Sequence, residues 1–118
     1  SGFTDSGSNA FFFLDSNTTG YATCGQATWL YCPGGTVNLS AQNVGYNNAA
    51  STVNFSITDG DTALNNNTNS WAFSNIGGPG GGSTPSFDWG LPFFYGRSVY
   101  TAIEAQNTPA GAGPYIAY

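Results

Sequence analysis

The sequence predicts an all-β domain, and three observations lead there. Gly, Asn, Thr and Pro recur too often along the 118 residues for a long 3.6-residue apolar period to survive. Val53, Phe55 and Ile57 alternate with Asn54, Ser56 and Thr58, the period of a strand with one buried face. Polar and glycine-rich tracts then divide the chain into apolar runs of strand length. One domain with its own core fits this length, and nothing marks a second.

In chain order, Asp5-Ser6-Gly7-Ser8-Asn9 is a polar turn that enters the apolar run Ala10-Phe11-Phe12-Phe13-Leu14. Val37 and Leu39 alternate with Thr36, Asn38 and Ser40 in a short strand, and the strand at 53–58 follows it. Asp59-Gly60-Asp61 has the composition of a hairpin turn. Residues 65–70 are a polar loop, after which Trp71 and Phe73 suggest another strand. The Gly, Pro, Ser and Thr of 77–86 include no core-forming residue and predict a flexible or exposed loop. In the aromatic run 87–97, Pro92 and Gly96 bracket at most one or two helical turns. Residues 99–104 form a strand by their β-branched and aromatic content, and 114–118 supply the last one.

Charged residues are 6% of the chain, against about 25% in an ordinary soluble domain, so Asn, Ser, Thr and Gly must dress the surface. That suits an exported protein or a tightly packed assembly. A net charge of -5 with Arg97 as the lone cation leaves no basic stripe, which excludes nucleic-acid binding. No apolar run approaches the roughly 20 residues that cross a bilayer. Ser1 is preceded by no signal-peptide pattern, so any targeting segment is expected outside this chain. Cys24 and Cys32 enclose a short loop and read as a disulfide, with two free buried thiols as the alternative. The disulfide would stabilise by about 2.5 kcal/mol and implies an oxidising place: secreted, periplasmic or cell-surface. With no His and only this pair of sulfurs, neither a metal nor a cofactor is expected.

Taken alone, Asp5-Ser6-Gly7 is a polar turn whose Asp accepts backbone N–H bonds. Ser8, Asn9 and the apolar run that follows change its weight, as does the late segment Trp89-Gly90-Leu91-Pro92-Phe93-Phe94-Tyr95-Gly96-Arg97 with the strand after it. Together these resemble the C-terminal lobe of pepsin-like aspartic peptidases. In that family an Asp-Thr/Ser-Gly-Thr/Ser turn is followed late in the lobe by an apolar-apolar-Gly strand, a short aromatic helix ending in Arg, and a final strand. The chain looks closer still to a family of uncharacterised exported bacterial proteins with Asp-Ser-Gly-Ser-Asn before Phe-Phe. Those end in Trp-Gly-Leu-Pro-Phe-Phe and a Gly-Pro-Tyr-x-Ala-Tyr tail, which residues 113–118 match.

The resemblance implies a pepsin-like lobe, a β barrel or sandwich of the six-stranded type with one short helix near 91–97. It makes Asp5 one carboxylate of a two-Asp site for peptide hydrolysis, with Ser6, Gly7 and Ser8 as support. Such chemistry needs two carboxylates about 3 Å apart that share a proton, one acting as base toward water and the other as donor to the scissile carbonyl. No second Asp-Ser/Thr-Gly exists in this chain. The partner is expected from an N-terminal lobe, covalently or as a separate chain, or from a second copy meeting Asp5 across a two-fold axis. Ser1 reads as a cut end in or beside the strand that enters the turn, and the isolated chain is expected to be inactive.

Asp88 departs from the family pattern by standing where an apolar residue precedes the Gly, and reads as a loop-edge residue with a functional role as the alternative. Arg97 is read as a structural cation, paired with Glu104 or Asp88 or solvated at a helix end. Trp89, Phe93, Phe94, Tyr95 and Tyr100 are read as core rather than as a sugar platform. The alternative function is a structural, adhesive or filament protein that keeps the fold without the chemistry; a peptide-binding pseudo-enzyme is a third.

Overall fold

The computed structural model describes residues 1–81 and 86–118. In chain order its first elements are β1 (Gly2–Thr4), β2 (Phe11–Phe13), α1 (Ser16–Thr19), β3 (Val37–Val44), β4 (Ala50–Ile57) and α2 (Gly60–Asn66). There follow β5 (Gly77–Pro79), β6 (Phe87–Trp89), a 3-10 helix (Leu91–Phe94), β7 (Tyr100–Ala102), β8 (Asn107–Thr108), β9 (Gly111–Ala112) and β10 (Tyr115–Ala117). The chain is mostly β, as its sequence predicts. The described strands form one four-stranded sheet and three two-stranded ribbons rather than a single six-stranded barrel, and three short helical segments replace the expected one.

The central sheet has the order β1-β6-β2-β5. β6 runs parallel to β1 and antiparallel to β2, with Asp88 opposite Phe3 on one side and Phe12 on the other. A strand from late in the chain is thus threaded between two strands that lie close together in sequence. Because side chains alternate across a strand, Asp88 shares one face with Phe3 and Phe12, while Phe87 and Trp89 share the opposite face with Phe11 and Phe13.

That second face is the main core. Phe87 stacks on Trp89 with centroids 4.0 Å apart and on Phe13 at 5.3 Å. The β3–β4 hairpin covers them, pairing from Val37 opposite Ile57 to Val44 opposite Ala50. Its Phe55 meets Phe13, Phe87 and Trp89 edge-on at 5.5 Å each, the geometry that ring quadrupoles favour. Asn43 of β3 fastens the other strand of the hairpin, accepting from the Trp89 indole at 2.9 Å and donating to the Tyr118 hydroxyl at 2.9 Å. The far end of the hairpin projects, leaving Val44 and Tyr46 exposed. The radius of gyration is 15.5 Å, against about 13.5 Å for a compact chain of this length.

A second, smaller core of Ala10, Cys24, Ala27, Leu30 and Ile76 lies under the loop closed by the Cys24–Cys32 disulfide. Here Asp59-Gly60-Asp61 is not a hairpin turn. Asp59 accepts from the Thr62 N–H at 2.9 Å and caps α2, a role that suits a short acidic side chain preceding a helix. β4 already has its partner in β3, so no hairpin is needed after it. The helix takes in the first residues of the tract expected to be a loop at 65–70, and its Gly60 fits where a Cβ would stand 2.7 Å from Leu30.

Two other expectations change. The region of Trp71 and Phe73 is not a strand, and Trp71 is exposed. The stretch from 77 begins with β5, which pairs parallel with β2 and is buried at Gly77 and Gly78. Glycine supplies the core there by letting backbones meet: a Cβ on Gly78 would lie 2.1 Å from the Trp29 carbonyl oxygen. Residues 82–85 of the expected loop lie outside the described residues. The 3-10 helix and the pair β7–β10 match the elements expected at 91–97, 99–104 and 114–118.

Candidate functional site

Asp5 begins the connection between β1 and β2, and β6 passes beneath that connection. The Asp5 N–H donates to the Trp89 carbonyl at 3.1 Å, and the Leu91 N–H donates to the Ser8 carbonyl at 2.6 Å, so the turn is tied to β6 at both ends. Between them Gly90 runs so near the turn that no side chain would fit. A Cβ there would stand 2.0 Å from the Ala10 oxygen and 2.8 Å from the Ser8 oxygen.

The turn holds the carboxylate through both oxygens. Asp5 Oδ1 accepts from the Gly7 N–H at 2.8 Å, and Oδ2 lies 3.1 Å from the Ser8 hydroxyl. Asp5 is exposed, so a carboxylate held by its own turn faces outward. The structure therefore brings together Asp5, Gly7 and Ser8 of the residues expected at the site. Ser6 is exposed, and among the described hydrogen bonds the Asp5 oxygens are served by Gly7 and Ser8 rather than by Ser6.

Asp88 joins this group from β6. Ser8 Oγ lies 2.6 Å from Asp88 Oδ2, closer than it lies to Asp5. Asp88 is not a loop-edge residue: it sits in the middle of β6, is 9% exposed, and its Oδ1 is buried without a hydrogen-bond partner. Burial pushes its carboxyl above the ordinary value, opposed by the hydrogen bond from Ser8 and reinforced by the charge of Asp5. One signal in the sequence pointed here, the carboxylate two residues before Gly90 in an otherwise apolar strand. Asp88 is buried where Asp5 is exposed, and so does not stand beside it as a second solvent-facing carboxylate.

The lone cation takes no part. Arg97 donates to the Phe93 carbonyl at 2.8 Å and the Asn54 carbonyl at 3.4 Å, with its guanidinium 4.9 Å from the Phe93 ring centroid. Backbone carbonyls, not Glu104 or Asp88, satisfy it. Among the aromatics expected in the core, Trp89 and Phe93 are buried, whereas Tyr95 and Tyr100 are exposed.

Residues 1–118 match the model of a family described as a protein of unknown function, DUF3443. The chain belongs to the DUF3443 family. No curated protein and no solved structure matches it.

Elsewhere in this DUF3443 chain, Cys24, Cys32 and Asp61 come close enough to suggest a metal site. Their chemistry argues otherwise, because both sulfurs are spent in the disulfide and Asp61 is already satisfied. Its oxygens accept from the N–H groups of Gly25 and Gln26 at 3.0 Å and Ala27 at 2.8 Å, and these bonds hold its carboxyl below the ordinary range. Two surface concavities lie on the β3–β4 hairpin of the DUF3443 fold. One is lined by Asn38, Leu39, Ser40, Asn54, Phe55 and Ser56, the other partly by Arg97 and Tyr118, and Asp5 borders neither. No described helix is long and apolar enough to cross a membrane.

Proposed function

We propose that this chain is the C-terminal lobe of an exported, aspartic-peptidase-like protein, with Asp5 supplying one carboxylate of a two-Asp site. The observation that carries the reading is the turn itself: an Asp-Ser-Gly-Ser loop between two strands with a third strand threaded beneath it at a glycine. There a backbone N–H and a serine hydroxyl hold an exposed carboxylate. An outward-facing Asp5 on an open surface suits a cleft completed by another lobe or chain bringing the second carboxylate. A disulfide and the lack of any described membrane-crossing helix are compatible with export.

In this reading the two carboxylates share one proton. The ionised one takes a proton from water as that water attacks the peptide carbonyl, and the protonated one donates to the carbonyl oxygen. The chain alone lacks half of that machinery and is inactive. The test is peptide hydrolysis at acid pH by the chain combined with the second lobe, with Asp5→Asn beside it. Loss of turnover in the variant supports the role of Asp5, and unchanged turnover removes it.

A second reading, a non-catalytic structural or adhesive protein, is favoured by the exposed Tyr46, Trp71, Tyr100 and Ile103 on a charge-poor surface. Ordered polymers of the chain alone in electron microscopy would support it over catalysis.

A further inference from the structure

We infer that Asp88 is a positioning residue that stays protonated in the folded chain and donates through Ser8 to Asp5, forming a carboxylic acid–hydroxyl–carboxylate chain. The geometry forces a choice of donors. Ser8 Oγ lies 2.6 Å from Asp88 Oδ2 and 3.1 Å from Asp5 Oδ2, yet a hydroxyl has one hydrogen to give. If both carboxyls were ionised, one of these contacts would set oxygen against oxygen with no proton between them. If Asp88 carries the proton, each contact has one: Asp88 Oδ2–H to Ser8 Oγ, and Ser8 Oγ–H to Asp5 Oδ2.

The surroundings of Asp88 favour the same assignment. Its Oδ1 is buried with no partner, tolerable for the carbonyl oxygen of an acid and costly for an oxygen bearing half a charge. The charge that acts on Asp88 is that of Asp5, which is of like sign. β1 and β2, which flank Asp88, carry no charged side chain, and the 3-10 helix carries none. The titratable groups bordering those elements are the Ser1 α-amino group before β1, Asp5 after it, and Asp15 after β2, which caps α1. Arg97, beyond the 3-10 helix, is engaged by the carbonyls of Phe93 and Asn54. Burial and the charge of Asp5 both raise the Asp88 carboxyl above its ordinary value.

The arrangement makes the hold on Asp5 depend on pH. While Asp88 is protonated, the Ser8 hydrogen belongs to Asp5. Once Asp88 ionises, that hydrogen turns to the nearer Asp88 oxygen, and Asp5 loses a donor while gaining a like charge behind it. An acid-favoured site would thereby carry its own alkaline limit. The hydrogen-bond chain concerns the folded lobe and holds whether or not Asp5 cleaves a peptide; the alkaline limit rests on the catalytic reading above.

Carboxyl carbon resonances test the two separately, and with 6 Asp and Glu residues the spectrum is small. In a pH titration of the isolated wild-type chain, the Asp88 signal is expected to remain that of an acid well above pH 3.8, its ordinary midpoint. The Asp5 signal is expected to shift at the Asp88 midpoint, to lose that shift in Ser8→Ala, and to keep it in Ser8→Thr. Titration of Asp88 at or below its ordinary midpoint overturns the inference, and wild-type protein alone decides this should a variant fail to fold. A shift of the Asp5 signal at the Asp88 midpoint that persists unchanged in Ser8→Ala overturns the relay, because the link would then be only through space. In the assembled enzyme, Asp88→Asn is expected to remove or displace the alkaline limb of the pH–rate profile. An unmoved limb overturns the alkaline limit, whereas absent turnover in wild type counts against the catalytic reading and leaves the titration to judge the chain.

Discussion

Gly90 passes so close beneath Ala10 that a Cβ on Gly90 would lie 2.0 Å from the Ala10 carbonyl oxygen. Backbone rather than a side-chain tip blocks that space, so the contact can relax only by moving the Asp5 turn off β6. Gly90→Ala is expected to cost about 3 kcal/mol or more and to displace the amide resonances of residues 5–10. Urea denaturation measures the first and a two-dimensional amide spectrum the second; wild-type values in both would show that the close approach does not hold the turn.

The disulfide loop makes its own contribution. Cys24 and Cys32 stand 8 residues apart, and closing so short a loop restricts the unfolded chain by about 2.5 kcal/mol. Denaturation of Cys24→Ser/Cys32→Ser against the oxidised wild type checks this, with a loss of about 2–3 kcal/mol expected.

Stability should respond to acid through Asp61 and Asp15. Both carboxyls are held below the ordinary value of 3.8, Asp61 by the N–H groups of Ala27, Gln26 and Gly25, and Asp15 chiefly by that of Thr18. A depressed folded pKa contributes stability that is present above the unfolded value and lost as pH falls through the folded one. Melting temperatures of the wild type should therefore fall as pH drops below 3.8, and Asp61→Asn should flatten that fall.

Asp88 has the opposite sign and the opposite window. Its folded pKa is raised, so its contribution is present below 3.8 and lost as pH rises through the folded value. In Asp88→Asn, melting temperature should decline less than in wild type over the range above 3.8, while the acid-side loss due to Asp61 and Asp15 persists. An identical decline in both proteins would show that Asp88 ionises without cost to the fold.

Packing supplies a fifth comparison. Phe93 is fully buried, with Trp89 at 5.2 Å and Tyr118 at 5.0 Å between ring centroids. Phe93→Ala should cost about 3–5 kcal/mol in urea denaturation. Arg97→Met, which keeps most of the apolar stem and removes the donors, should cost less.

Legibility followed local pattern. The alternation of Val53, Phe55 and Ile57 announced β4, because burial of one face imposes a period of two that needs no knowledge of the partner. The disulfide was legible because the chain holds only one pair of sulfurs. Gly77 and Gly78 were misread as loop, since their burial comes from backbone contact with Trp29 and β2 that side-chain pattern does not encode. Asp59-Gly60-Asp61 was misread as a hairpin turn because the residues that start a turn also cap a helix: Asp59 takes the Thr62 N–H, and Asp61 takes distant N–H groups at 25–27 that local pattern does not encode. At the site, Asp5, Gly7 and Ser8 were legible as a motif. The contact from Ser8 to Asp88 was not, because it joins residues 80 positions apart.

The threading of β6 between β1 and β2 also sets an order of events during synthesis. Asp5 leaves the ribosome well before the strand beneath its turn, the glycine that lets the turn close and the carboxyl behind Ser8, all of which lie at 87–90. A nascent chain shorter than this carries the Asp-Ser-Gly-Ser letters without the geometry. The non-local closure comes only after most of the chain has emerged, a slow step for a β topology. The tethered Asp5 turn is thereby withheld from every chain that stops short of β6.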